Sequence, residues 1–61
     1  MTRDDLEGLR IGDLVRHKED GEALTVIVIV PNGVVAARMI NVTNPPEWDK
    51  VDKNGKVISS D

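Results

Sequence analysis

The sequence has no cysteine, no phenylalanine and no tyrosine, and Trp48 is its one aromatic residue apart from His17. Without cysteine, disulfides and thiolate-held metals are both excluded. Without large rings, any core has to be built from aliphatic side chains. At 61 residues the chain is one domain at most. A domain of that size buries only about 60% of the surface its unfolded chain exposes, so stability is marginal without help. A tightly packed aliphatic core, self-association, or both must supply it.

Long apolar runs are also missing. The longest, Val26 to Pro31, is far shorter than the ~20 residues a membrane-spanning helix needs. The opening, Met1-Thr2-Arg3-Asp4-Asp5-Leu6-Glu7-Gly8, is acidic and has no apolar stretch of the signal-peptide kind. A cytoplasmic protein with no membrane contact is expected. Excess positive charge is absent too: the net charge is −3 and the isoelectric point about 4.9. A nucleic-acid binder is expected to display a basic patch that displaces counterions from phosphates. The cations here are interleaved with acids, Arg10, Arg16, His17 and Lys18 with Asp13, Glu19 and Asp20. A mixed solvated surface is the simpler reading.

Catalytic constellations are lacking as well. The one histidine, His17, lies at a charged strand end. Nothing in the spacing places Thr2, Thr25, Thr43, Ser59 or Ser60 beside it as a nucleophile. A chain this short has little room for a deep pocket. No enzyme activity, cofactor or small-molecule substrate is expected. Asp52-Lys53-Asn54-Gly55-Lys56-Val57 has the alternating ligands and glycine of a calcium loop's middle. Its first ligand position, however, is Lys50, and Pro45-Pro46 would break the entering helix, so a charged β-turn is expected instead.

What the chain does have is a pair of β-branched runs. Leu24-Thr25-Val26-Ile27-Val28-Ile29-Val30 leads through Pro31-Asn32-Gly33 into Val34-Val35-Ala36-Ala37-Arg38-Met39-Ile40-Asn41-Val42. This is hairpin chemistry, with the turn expected at Asn32-Gly33. Neither run alternates cleanly, so each strand is apolar on both faces. A shorter strand, Leu14–His17, is expected before it, joined by the Asp20-Gly21 turn. Pro45-Pro46 ends the third strand, and Asn54-Gly55 precedes a last short strand at Lys56–Ile58. Thr2 is an N-cap candidate with Asp5 three residues on, which predicts a short helical turn closed by Gly8 and docked through Leu6 and Leu9. The expected layout is a helical turn over residues 1–9, a β core over 10–58 and a frayed tail over 59–61. The fold class is all-β: a small barrel or strongly bent antiparallel sheet of four or five strands.

Ile11-Gly12-Asp13-Leu14-Val15-Arg16-His17-Lys18, then Gly21 and Leu24-Thr25-Val26, resembles the opening of small SH3-like barrels. It is similar to KOW-type modules and to short YodC-like proteins of bacteria and their phages. The resemblance covers about the first half of the chain. It implies an SH3-like barrel and leaves activity open. KOW modules that touch RNA are usually basic and often carry aromatics on the binding face. This chain is acidic, with Trp48 its single large ring.

Two features invite a protein partner. Pro45-Pro46-Glu47-Trp48 presents the residue type most enriched in binding hot spots on a stiffened loop. The competing reading folds Trp48 back as a cap on the aliphatic core. The two-faced strands offer Ile27, Ile29, Val35 and Ala37 as a partner groove or homodimer seam, unless barrel closure covers them. The expected function is a non-catalytic protein-interaction module or accessory factor of bacterial or phage type. The alternatives are a nucleic-acid-associated KOW-type module using Arg10, Arg16, His17, Lys18 and Arg38, or a subunit stable only as a homo-oligomer.

Overall fold

The computed structural model describes residues 1–59. The helical turn α1 spans Arg3–Glu7. Thr2 and Asp5 cap it reciprocally: the Thr2 hydroxyl accepts from the Asp5 amide at 3.1 Å, and the Asp5 carboxylate accepts from the Thr2 amide at 3.0 Å. Gly8 ends the helix with an ordinary φ of −89°, so it stops the turn without a left-handed cap. Leu6 and Leu9 are buried against the sheet.

Six strands follow: β1 (Leu14–His17), β2 (Ala23–Val30), β3 (Gly33–Ala36), β4 (Ile40–Val42), β5 (Trp48–Val51) and β6 (Val57–Ser59). All pairings are antiparallel and the spatial order is β4-β3-β2-β1-β5-β6. The all-β class holds, with six strands among the described residues where four or five were expected. The added strand comes from a break in the expected run Val34–Val42. Arg38 and Met39 both take positive φ, 67° and 60°, and turn the chain so that β3 and β4 pair with each other. Ser59 closes β6 rather than fraying, and the rest of the expected tail lies outside the described residues.

The long strand β2 is shared between two halves of the sheet. Its start, Ala23–Thr25, pairs with β1; its remainder pairs with β3. The sheet bends over itself there, so Val15 and Trp48 from one half meet Val34 and Val42 from the other in a single aliphatic core. Met1 joins that core, fully buried, and its ammonium group donates to the carbonyls of Pro45 (3.2 Å) and Trp48. The first residue is thereby fastened to the segment that leads into β5.

The β2–β3 turn is Pro31-Asn32, since Val30 pairs directly with Gly33. Gly33 has no positive φ and is instead the first residue of β3. Its role is contact. A Cβ built there would sit 2.2 Å from the Val42 carbonyl oxygen, closer than any side chain tolerates.

Candidate functional site

The exposed apolar surface originates in one irregularity of β2. Val26 pairs with Ala36, but the next pair is Val28 with Val35, leaving Ile27 as an extra residue. Directly opposed residues share a face of the sheet. Val26 and Ala36 are both fully buried, so they mark the inner face. Ile27 precedes the phase shift and Val28 follows it, so both fall on the outer face beside Val35. This β-bulge places two consecutive apolar side chains toward solvent. Ile27 is 40% exposed, Val28 43% and Ile29 49%, while Val35 is half-buried. A strand apolar in both phases is therefore reconciled with one core by a register slip, not by barrel closure alone.

The backbone edge of this segment is also open. β1 pairs with β2 only as far as Thr25, and the Gly12 and Asp13 loop bonds continue to Val26. Beyond Val26, among the described residues, no strand pairs with that side of β2. From Ala23 to Ala37 the chain carries no charged residue. The Ala37–Met39 turn packs against β2 and exposes Met39 at 74%. Arg38 beside it donates to both carboxylate oxygens of Glu22, at 2.8 and 3.1 Å. The charges that border the patch thus neutralise each other.

The other sequence-predicted residues sit elsewhere. Trp48 is buried (5% exposed), with its ring edge-on to His17 at a centroid distance of 4.9 Å and 87°. It caps the core and offers no anchor to a partner, which corrects the reading of Pro45-Pro46-Glu47-Trp48 as a presented loop. Pro45 is buried with it, while Pro46 and Glu47 face solvent. The segment turns inward because a core without other large rings leaves space for an indole. Ala37 is half-buried and packs on the core.

Four of the five cations proposed as a nucleic-acid face are matched with acids. Arg16 (3.5 Å) and Lys18 (3.8 Å) both approach the carboxylate of Asp49, whose side chain is only 9% exposed. His17 lies 3.7 Å from Glu47, and Arg38 is held by Glu22. Arg10 is exposed, and its backbone amide donates to Asp13. The Asp52 to Lys56 segment is a closed β-turn. The Asp52 carboxylate accepts from the Asn54 and Lys56 amides, both at 2.9 Å, and Gly55 supplies a φ of +84°. That carboxylate is spent on its own turn. Among the described residues there is no cavity.

Sequence reasoning named Ile27, Ile29 and Val35 but passed over Val28 and Met39. A bulge leaves no mark in composition, and an exposed methionine on a left-handed turn has no sequence signature. Comparison of the chain with family models, with curated proteins and with solved structures finds no match in any of the three.

Proposed function

We propose that this protein is a non-catalytic protein-interaction module whose contact surface is the bulged half of β2 with its neighbours Val35 and Met39. The observation that carries the reading is the conjunction of exposed Ile27, Val28 and Ile29 with an uncharged, unpaired strand edge. Contiguous apolar surface on a small monomer marks an interaction site more often than scattered exposed residues do. A bare strand edge adds main-chain donors and acceptors that an incoming strand can use.

The resemblance to SH3-like barrels belongs to the same proposal. It draws support from β5 returning to β1 after a short 3₁₀ turn at Pro45–Glu47. A cytoplasmic setting and a bacterial or phage origin are proposed with it. The first rests on the cysteine-free, acidic sequence, the second on the resemblance. No helix of the described chain is long and apolar enough to cross a membrane. A nucleic-acid role draws little support, because Arg16, Lys18, His17 and Arg38 each face an acid.

The test compares the wild-type chain with Val28→Glu as baits in a native extract, followed by reconstitution with the purified partner. Binding that Val28→Glu abolishes while its circular dichroism stays unchanged supports the reading. A partner held equally by both chains moves the contact surface elsewhere. Tight, steeply salt-dependent binding of an oligonucleotide overturns the reading in favour of the KOW-type alternative.

A further inference from the structure

The structure carries three strand edges without a partner among the described residues, and they differ. The edges of β4 (Ile40–Val42) and β6 (Val57–Ser59) are three residues long. Short edges are one of the ways proteins discourage stray pairing. Prolines follow β4 at Pro45-Pro46, and Lys53 and Lys56 precede β6. The edge of Ile27–Val30 has no such guard. It has no charge and no internal proline, and it does not end until Pro31. Its bulge displays two consecutive apolar side chains beside the open backbone.

The charge pattern narrows the occupant. A partner recognised through charge needs an unbalanced patch, and this one is neutral from Ala23 to Ala37, with its bordering Arg38 and Glu22 satisfying each other. The matching surface is another neutral apolar edge, and the same chain supplies one. We infer that two copies of this chain associate through their β2 edges, with Ile27–Val30 of one running antiparallel to Ile27–Val30 of the other. Around a two-fold axis Ile29 of each copy then faces Ile29 of its mate and Val28 faces Val30, residues of matching phase, so the two apolar edges become one continuous strip. The pairing deepens the interaction-module reading by naming its partner, and it rests on that reading.

Size sets the strength. The molecule exposes 3861 Å² in all. The open fractions of Ile27, Val28, Ile29 and Met39 amount to on the order of 400 Å², within the range of functional patches on monomers. A standard stable interface takes about 800 Å² from each partner. The dimer is accordingly a weak, reversible one that forms as concentration rises.

Sedimentation of the 61-residue chain from micromolar to millimolar concentration tests this, read together with amide hydrogen exchange. The mass is expected to climb from 6.7 kDa toward twice that value. Exchange within Ile27–Val30 should slow in step, while the β4 and β6 edges stay unchanged. Ile29→Lys should weaken association about tenfold or more, because like charges brought together across an interface oppose docking. Ile58→Lys, at an exposed apolar site on β6 at the far end of the sheet, should leave it intact. A chain that stays monomeric at millimolar concentration overturns the dimer. The interaction-module reading then still stands or falls on capture by wild type against Val28→Glu. A dimer whose protection maps away from Ile27–Val30, or one indifferent to Ile29→Lys, overturns the edge pairing.

Discussion

Arg38 clasps Glu22 with both guanidinium nitrogens, at 2.8 and 3.1 Å, across sixteen positions of sequence. The clasp joins the β1–β2 loop to the β3–β4 turn, and it sits on a residue whose backbone is in the left-handed region. Met39 follows in the same region. Each such non-glycine residue costs roughly 1–2 kcal/mol. An exposed ion pair returns only about 0.2–1 kcal/mol. The turn is therefore a net expense carried by the hairpin around it. Met39→Gly is expected to stabilise the protein by up to about 1 kcal/mol, since glycine adopts positive φ freely. At this chain length a gain of that size appears as a rise of about 4–8 °C in Tm. A fall in Tm contradicts the left-handed assignment.

Gly33→Ala tests close approach rather than backbone freedom. The new methyl meets the Val42 carbonyl oxygen at 2.2 Å and the Thr43 Cα at 3.2 Å, and neither belongs to a flexible side chain. The β3–β4 pairing has to open, at a cost of about 3 kcal/mol, the upper end of the usual overpacking range. Gly12→Ala is the informative contrast. Nothing lies within 4 Å of its Cβ and its φ is +99°, so the penalty there is conformational only, about 1 kcal/mol. Urea unfolding of the two variants should rank them in that order.

The ammonium group of Met1 is a structural cation, bonded to the Pro45 and Trp48 carbonyls beneath a fully buried side chain. Acetylating it removes the charge and leaves fewer donors for those acceptors. A charge-assisted hydrogen bond contributes about 1.5–3 kcal/mol, so the acetylated chain should lose stability on that scale. Acetylated and unmodified forms of the synthetic chain, melted side by side, give the comparison. Equal melting temperatures would show that the amine contributes nothing.

Trp48 predicts a spectroscopic result. Buried, and edge-on to His17, its indole should emit at shorter wavelength than tryptophan in water and resist acrylamide quenching. Trp48→Ala should cost about 3–5 kcal/mol, a large part of a small domain's stability. A red, readily quenched emission would return Trp48 to the surface.

Local chemistry was legible in the sequence and distant pairing was not. Thr2 and Asp5 announce their capping box because the motif is short-range, and Asn54-Gly55 announces its turn for the same reason. The β-branched runs announce strands. The union of β1 with β5 depends on residues some thirty positions apart, and no periodicity records it. Arg38 and Met39 hide a turn because neither residue type favours positive φ. The Asn32-Gly33 dipeptide reads as a turn, yet Gly33 makes room for a carbonyl nine residues later. In the exposed apolar patch, Ile27, Ile29 and Val35 are readable as surplus apolar residues. Trp48 reads as an anchor by residue type, but the absence of other rings makes it the natural filler of the interior.

The extra residue at Ile27 also bears on how this chain tolerates insertion and deletion. Most proteins change length in loops, where geometry is forgiving. Here one residue can leave the middle of a strand with Val26 still opposite Ala36 and Val28 still opposite Val35, so the interior need not notice. The oily exterior would shrink by one side chain, and a lineage could tune its stickiness by a single codon gained or lost.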